Sequence, residues 1–381
     1  MARPPAGLFF VPGAARAAGC RYHDGMEAAL QSLAAKITQA AARGRPLRIR
    51  GGGTKDFYGQ QLLGELLDAR PLAGVLAYEP SELVVTVGAG TRLRELEALL
   101  AEAGQHLPFE PPRFGVAGTV GGAVAAGLSG PARASVGAAR DFVLGAQLIN
   151  GRGERLNFGG QVMKNVAGYD ISRLLAGSLG TLGLITQLSL KVLPRAPAEA
   201  TLVFALSETS ARQQLNRWCG QPLPLSASAW ADGQLWVRLR GAQAALASAC
   251  RQMGGERLDE PRAQRQWDAL RDQTLPFFRL APDEALWRVS VPDTASPLNL
   301  GPTLVEWHGA QRWLRLPPAE APRVREVAAR LGGHATLFRG GDGVTPVFTP
   351  LTPPLARIHQ ALKREFDPAG IFCPGRLTPD F

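Results

Sequence analysis

The chain has 381 residues, a net charge of +10 and 45% hydrophobic residues. This length allows two or three domains with their own cores, and the hydrophobic content is typical of a globular protein. The basic residues occur singly, without a run of five or more, which argues against a nucleic-acid-binding protein. The remaining interpretations of the charge are a weak attraction to an acidic partner or to an anionic lipid surface.

The four cysteines, Cys20, Cys219, Cys250 and Cys373, are widely spaced, and none forms a C-x-x-C pair. Iron–sulfur clusters and structural zinc need clustered thiolates, so we expect neither in this chain. The wide spacing, together with the lack of an export signal, predicts a cytoplasmic protein. No stretch approaches the 18 apolar residues of a membrane helix.

Residues 1–25 are rich in Pro, Gly and Arg, and we predict that they form an irregular extension. A regular amphipathic pattern begins only at Met26, which we interpret as the natural start of the protein. The alternative is that the extension is a partner-binding arm.

From Met26 to about residue 195, short strands alternate with glycine-rich turns and helices. The pattern predicts helices over 26–43 and 92–103, and a short buried helix within 111–137. Asn150-Gly151 is typical of a hairpin turn. The predicted strands are 46–50, 75–78, 83–87, 142–149, 153–158 and 184–192.

Residues 196–350 have a different pattern. Residues 201–258 predict the order β-α-β-β-α-β, the split βαβ layout. A second set of elements follows and ends in a helix at about 354–365. These further elements are strands near 285–291, 302–307, 311–316 and 335–338, and a helix at 319–331. The fold class is therefore α+β, with an antiparallel sheet covered by helices in the second half.

Glycine accounts for 44 residues, about 12% of the chain against an average of about 7%, which suggests close backbone approaches. One glycine-rich segment, 51–55, follows a predicted strand, and its consecutive glycines let backbone N–H groups turn toward an anion. It matches neither the Rossmann nor the P-loop fingerprint, so a tight turn is the alternative. Two further glycine-rich segments lie at 115–122 and 164–183. Three such segments are better explained as parts of a binding site for one extended dinucleotide than as three unrelated turns.

Four motifs in this order resemble the FAD-binding family of the vanillyl-alcohol-oxidase type. They are R-G-G-G-T-K (50–55), A-G-T-V-G-G (117–122), K-N-V-A-G-Y-D (164–170) and G-S-L-G-T-L-G-L-I-T (177–186). Within that family, three longer segments are similar to the glycolate oxidase E subunits. These are R-I-R-G-G-G-T-K-D-F-Y-G (48–59), E-W-H-G-A-Q-R-W (306–313) and F-D-P-A-G-I-F-C-P-G-R-L (366–377).

The resemblance implies a two-subdomain FAD-binding domain at 26–195, a cap domain at 196–350, and a C-terminal segment, 351–381, that returns to the FAD-binding domain. Some relatives link the flavin to a histidine after the glycines. That position is Thr54 here, so we expect non-covalent FAD. By resemblance, the cofactor-binding residues are Arg50, Gly51, Gly52, Gly53, Thr54, Lys55, Gly118, Thr119, Gly121, Gly122, Asn165, Gly168, Gly180, Gly183 and Ile185.

Oxidation of a 2-hydroxy acid by a flavin needs a base for the hydroxyl proton and a cation for the carboxylate. His308, beside a tryptophan in the predicted cap, is the candidate base, and a structural histidine is the alternative. Arg312 and Arg376 are candidates for the cation. Relatives commonly have Asn at the position of Cys373, which puts a flavin contact by this thiol in doubt. The paired-histidine metal site expected in the family's catalytic subunit is not evident, so we predict no metal.

The resemblance implies a cytoplasmic FAD-binding subunit of a glycolate-oxidising complex. Its partners would be a catalytic flavin subunit and an iron–sulfur subunit, with electrons passed to them during oxidation of glycolate to glyoxylate. Contact of the complex with the inner face of the membrane is compatible with this interpretation, and nucleic acid is not expected. The alternatives are a stand-alone FAD-dependent dehydrogenase of another 2-hydroxy acid and a structural subunit without a working FAD site.

Overall fold

The computed structural model describes residues 14–160 and 170–379, with side chains described from residue 25 onward. The helices are α1 (Ala14–Arg43), α2 (Leu93–Glu102), α3 (Val120–Ala126), α4 (Arg133–Val136), α5 (Ile171–Leu174), α6 (Glu208–Cys219), α7 (Gln243–Met253), α8 (Glu260–Arg271), α9 (Ala321–Arg330) and α10 (Pro353–Phe366). The strands are β1 (Leu47–Arg50), β2 (Glu65–Asp68), β3 (Val75–Glu79), β4 (Val84–Gly88), β5 (Gln105–His106), β6 (Val143–Ile149), β7 (Arg155–Gly159), β8 (Leu184–Lys191), β9 (Leu193–Pro194), β10 (Ala198–Ala205), β11 (Leu225–Ala231), β12 (Gln234–Gly241), β13 (Glu256–Arg257), β14 (Ala285–Ser290), β15 (Thr303–Glu306), β16 (Gln311–Leu316) and β17 (His334–Arg339).

A five-stranded antiparallel sheet, in the order β3-β4-β8-β6-β7, forms the centre of the first half of the chain. Helix α2 buries Leu93, Leu96 and Leu100 in the same apolar core as the sheet. The burial of each leucine side chain stabilises the folded chain by about 1.5–3 kcal/mol. The predicted hairpin at Asn150-Gly151 is confirmed by the antiparallel pairing of β6 with β7, although its loop extends beyond these two residues. Residues 150–154 form a longer loop, because the Asn150 side chain accepts hydrogen bonds from the N–H groups of Arg152 and Glu154.

A smaller layer beside this sheet contains α1, the parallel pair β1–β2 and the end of the chain. The N–H of Leu47 donates to the carbonyl of Ile371 over 2.7 Å, and the N–H of Cys373 donates to the carbonyl of Leu47 over 2.8 Å. The C-terminal tail therefore lies alongside β1. Strand β2 was not predicted, because four residues are too short for a periodic pattern.

Helix α1 is longer than the sequence pattern predicts. It begins at Ala14, so the predicted irregular conformation is wrong for residues 14–25. The segment from Ala14 to Ala18 is rich in alanine, the residue with the highest helix propensity. Since Leu33 and Ile37 already fix the following turns in the core, extending the helix needs no new nucleation.

The second half of the chain forms one eight-stranded sheet, in the order β13-β10-β12-β11-β15-β16-β14-β17. The predicted β-α-β-β-α-β order over 201–258 is confirmed by β10, α6, β11, β12, α7 and β13. Helix α8 was missed. Its N-cap is Asp259, whose side chain accepts a hydrogen bond from the N–H of Arg262, and Pro in the first turn is a further start signal that the sequence offered.

Buried ion pairs join the two halves. Glu110, from the loop after β5, accepts hydrogen bonds from Arg238 and Arg240 of β12 over 2.8 and 2.7 Å. These arginines hold the pKa of Glu110 at about 2, although burial alone would raise it. Polar contacts that need a defined geometry therefore contribute to the packing of the two halves, beside an apolar cluster shared by both.

Candidate functional site

The glycine-rich segments meet in an open cleft with an empty volume of about 800 Å³, adjoining solvent included. Most of the predicted cofactor-binding residues line this cleft. They are Arg50, Gly51, Gly52, Gly53, Thr54, Lys55, Thr119, Gly121, Gly122, Gly180, Gly183 and Ile185. Gly118 lies behind the wall, where its carbonyl accepts a hydrogen bond from the N–H of Leu93. Asn165 and Gly168 lie outside the described residues.

Two of the glycine-rich loops touch each other, which explains why Gly51 and Gly52 are glycines. A Cβ atom on Gly51 would lie 2.2 Å from Oγ1 of Thr119, and one on Gly52 would lie 1.5 Å from the carbonyl oxygen of Ala117. Any side chain at these positions would push the loops apart. The glycines thus place two stretches of backbone side by side along one wall of the cleft.

The turn after β1 presents unpaired backbone donors. Among the described residues, no acceptor is paired with the N–H groups of residues 51–55. Gly53 has a φ of +73°, a conformation that glycine adopts without strain. Successive unpaired N–H groups in such a turn form a concave anion-binding surface. The turn fits a negatively charged group such as a pyrophosphate.

Thr119 has a defined structural role at the start of α3. Its hydroxyl accepts a hydrogen bond from the N–H of Gly122 over 3.2 Å, which caps the helix. The next residues are also fixed, since Gly121 donates to the carbonyl of Ala89. A Cβ on Gly121 would lie 2.6 Å from the Cβ of Ala89, so this glycine allows α3 to pack against the residue after β4.

Lys55 brings an unpaired cation to the cleft. Within the described part of the chain, its buried amino group has no hydrogen-bond partner, and it lies 5.5 Å from the centre of the Phe114 ring. Burial lowers the pKa of Lys55 to about 8, with Asp272 opposing this effect and Arg271 adding to it. A buried ammonium without a partner is unfavourable, so a bound anion near this position would stabilise it.

The FAD binding domain family matches residues 28–159. Glycolate oxidase subunit GlcE of Escherichia coli K12 is 46% identical over 348 residues, which cover 91% of this chain and 97% of that protein. The chain belongs to the GlcE family. The predicted family and the predicted FAD-binding domain are therefore confirmed.

Other relatives match only part of the chain. Glycolate oxidase subunit GlcD of Bacillus subtilis is 29% identical over 171 residues, 44% of this chain and 36% of that protein. A D-lactate dehydrogenase of Anaerostipes hadrus is 32% identical over 142 residues, 37% of this chain and 29% of that protein. A solved alkyldihydroxyacetonephosphate synthase has a TM-score of 0.63 at 14% identity, covering 90% of this chain and 74% of its own. This likeness confirms the α+β fold.

His308, the candidate base, does not line the cleft. Its Nε2 lies 3.0 Å from the hydroxyl of Ser135 in α4, and its Nδ1 lies 3.0 Å from the hydroxyl of Ser228 in β11. Burial lowers its pKa, so the neutral ring is favoured. The geometry corresponds to the structural alternative, a histidine that links the two halves of the chain.

The two candidate arginines are also engaged elsewhere. Arg312 donates to the backbone carbonyls of Gly309, Ala295 and Ser296 within the cap sheet region. Arg376 lines the cleft, but its guanidinium donates to the carbonyls of Asp56, Tyr58 and Gln60. The prediction of a carboxylate-binding role is not supported for either side chain, because the guanidinium N–H groups of both arginines already donate to backbone carbonyls.

Cys373 lines the cleft, although the family resemblance puts a flavin contact by its thiol in doubt. Its sulfur accepts a hydrogen bond from the N–H of Ile49 over 3.4 Å, and burial raises its pKa. The thiol is therefore protonated and inert at neutral pH. Leu179 and Ala126 also line the cleft and were missed, because only the packing of α3 and the 177–183 loop brings them there.

In the part of the chain that the structure describes, no group of three or more His, Cys, Asp and Glu side chains is arranged to hold a metal ion. None of the described helices is long and apolar enough to cross a membrane.

Proposed function

We propose that this chain binds FAD non-covalently in the glycine-lined cleft and serves as the FAD-binding subunit of a glycolate oxidase complex. In this role it takes part in the two-electron oxidation of glycolate to glyoxylate and exchanges electrons with partner subunits. The observation that carries the proposal is the row of unpaired N–H groups at 51–55, in a chain 46% identical to GlcE.

Each part of the cleft has a role in this proposal. The N–H groups of residues 51–55 would donate to the pyrophosphate, and the Lys55 ammonium would supply a charge that backbone donors lack. Gly180, Gly183 and Ile185 would line the rest of the cofactor through backbone and apolar contacts. Thr54 cannot form the histidine–flavin link. Bound FAD supplies a two-electron carrier, which no side chain provides.

Aromatic side chains close the junction between the cleft and the cap. Phe57 and Phe114 have ring centres 5.3 Å apart, and Tyr58 and Phe338 have ring centres 5.1 Å apart. These four rings belong to one apolar cluster that excludes water from the junction. With His308 engaged by serines, no side chain assigned above as a base reaches the cleft. We therefore propose that glycolate is oxidised mainly on a partner subunit and that this chain holds a second flavin.

The proposed partners are a catalytic flavin subunit and an iron–sulfur subunit. Cys219, Cys250 and Cys373 are separate thiols, so onward electron transfer would use a partner's cluster. The same separation of thiols agrees with a cytoplasmic location. Any contact with the inner face of the membrane would occur through the assembled complex.

An anaerobic visible spectrum tests the proposal. The purified chain should be yellow, should stay yellow with glycolate, and should bleach when the catalytic subunit is added. Bleaching by glycolate in the isolated chain would instead support a stand-alone dehydrogenase. A chain that remains colourless even after refolding with FAD would support the structural subunit and overturn the proposal.

A further inference from the structure

The ammonium of Lys363, in the last turn of α10, is buried where the C-terminal tail meets the 177–183 loop. Only 4% of this residue is exposed. Its Nζ donates to the carbonyl of Thr181 over 2.8 Å, to Oδ2 of Asp367 over 2.8 Å and to the carbonyl of Phe372 over 2.7 Å. An ammonium has three N–H donors, so these contacts use all of them and fix the position of the nitrogen atom.

Asp367, directly after α10, is the counter-charge of this ammonium and is 1% exposed. Its Oδ1 accepts a hydrogen bond from the N–H of Ile371 over 3.1 Å, and its Oδ2 accepts one from the N–H of Phe372 over 2.7 Å. Each charge of the pair is therefore compensated within the protein. Because desolvation offsets the attraction between buried charges, the main effect of the pair is on the geometry of the groups that it holds.

Both carbonyls that Lys363 holds lie next to residues in the wall of the glycine-lined cleft. Thr181 directly follows Gly180, which lines the cleft. Phe372 directly precedes Cys373, which also lines it. A Cβ atom on Gly180 would lie 3.4 Å from the sulfur of Cys373, so the loop and the tail meet in this wall. One ammonium thus holds both segments, although Lys363 itself does not line the cleft.

The two segments have strained backbone at the cleft. Leu179 has a φ of +49° and Cys373 a φ of +43°, in the left-handed region that residues other than glycine rarely adopt. Both residues line the cleft. Such conformations persist only where the surrounding structure fixes them, and they cluster at ligand sites. The N–H of Leu179 donates to the carbonyl of Ala125 in α3, which holds one side of the loop, and Lys363 holds the other side.

We propose that Lys363 and Asp367 are a positioning pair for FAD: the ammonium joins the 177–183 loop to the tail and thereby fixes the cleft wall that these two segments form. The inference rests on the proposed FAD site. The pair acts through backbone carbonyls and not by touching the cofactor. Its removal should therefore lower the affinity of the folded chain for FAD, in addition to any effect on stability.

Fluorescence titration of the full-length chain with FAD tests the inference, together with urea unfolding of the FAD-free chain. Lys363→Met keeps most of the buried stem and removes the donor of both carbonyls. We expect the affinity for FAD to fall by about tenfold or more, at a temperature at which the variant is folded. Lys36→Met is the matched control. It removes an exposed lysine of α1 and should bind FAD as the unmodified chain does.

The double variant Lys363→Met/Asp367→Asn is the second test, for the case that Lys363→Met does not fold. The single variant leaves a buried carboxylate without a cation, whereas the double variant removes both charges, a change that proteins tolerate better. The carbonyls of Thr181 and Phe372 lose their donor in both variants. The double variant should therefore also bind FAD about tenfold or more weakly than the unmodified chain.

The two measurements separate a positioning role from a purely structural one. A folded variant with a lower free energy of unfolding but an unchanged dissociation constant for FAD would overturn this inference alone. Absence of FAD binding by the unmodified chain would overturn the proposed function as well.

If neither variant folds, hydrogen exchange in the unmodified chain decides. Coupling between two sites is reciprocal, so FAD should slow the exchange of the N–H groups of Ile371 and Phe372, which the pair holds in place. Equal exchange rates with and without bound FAD would show that the pair and the cofactor are not coupled, and would overturn the inference.

Discussion

The guanidinium of Arg376, near the C-terminus, donates a hydrogen bond to the backbone carbonyl of Tyr58, 318 positions earlier in the chain. The same side chain also reaches the carbonyls of Asp56 and Gln60. Three carbonyls of one loop are thus held by one residue of the tail. Because this loop follows directly after Lys55, the tail determines the shape of one wall of the cleft.

Arg376→Ala should therefore loosen the 56–60 loop. Each lost bond to a charged donor contributes about 1.5–3 kcal/mol, and because the losses are not additive we expect about 3 kcal/mol in total. Urea unfolding of the FAD-free chain measures the change. Arg376→Lys should recover only part of the loss, since an ammonium lacks the forked geometry. An exposed cation of α10 provides the control, Arg364→Ala, and an equal effect there would contradict the role given to Arg376.

Gly52→Ala should reduce FAD binding strongly while leaving the rest of the fold in place. The new Cβ would lie 1.5 Å from a backbone oxygen of Ala117, so the two glycine loops must separate. Overpacking of this kind costs about 1–3 kcal/mol, equivalent to roughly 5- to 150-fold in affinity if it falls on the FAD-bound form. Flavin absorbance per chain and fluorescence titration with FAD measure the effect. Gly25→Ala is the matched control, because nothing lies within 4 Å of its Cβ position.

The glycine segments could be predicted from sequence because the residue type itself reports the requirement: a left-handed φ at Gly53 or a close backbone approach at Gly52 permits little else, even though the partner of Gly52 could not be named. The β-α-β-β-α-β order could be predicted for a similar reason, since alternating apolar residues report which face of a strand is buried. Contacts between segments that are distant in the sequence could not be predicted in this way. The carbonyls that accept hydrogen bonds from Arg376 are far from it in the sequence, and so are the two serines that contact His308.

Lys55 should make the stability of the FAD-free chain depend on pH in the alkaline range. Its pKa in the folded chain is about 8, below the ordinary value of 10.5, because burial disfavours the ammonium. Between these two pH values the unfolded chain binds a proton that the folded chain does not. The free energy of unfolding should therefore rise with pH from about 8 to 10.5. Chemical denaturation across this range measures the slope.

Lys55→Met is the control, because it keeps the buried stem and removes the titrating group. The variant should lose the part of the alkaline slope that Lys55 contributes and should bind FAD more weakly, by roughly tenfold or more if one charge-assisted contact to phosphate is lost. If the variant binds FAD as well as the unmodified chain does, the ammonium does not contact the cofactor. If the slope persists unchanged, another group titrates in this range.

His308→Ala should weaken the junction between the two halves without affecting flavin reduction. The ring contacts Ser135 of the FAD-binding half and Ser228 of the cap, and its removal leaves the buried Ser228 hydroxyl short of a partner. We expect the free energy of unfolding to fall by about 1–3 kcal/mol. Ser135→Ala should produce a smaller loss, because that hydroxyl lies on an exposed residue and can bond to water.

The pH dependence separates this structural role from that of a base. The folded chain holds His308 with a pKa below 6.5, so the unfolded chain binds more protons as the pH falls through this value. Stability should therefore decrease below about pH 6.5 in the unmodified chain, and the His308 contribution to that decrease should be missing in His308→Ala. The rate of flavin reduction by glycolate in the assembled complex should be the same for both. A large loss of rate in the folded variant would instead make His308 part of the reaction, since removal of a general base typically costs 10²- to 10⁴-fold.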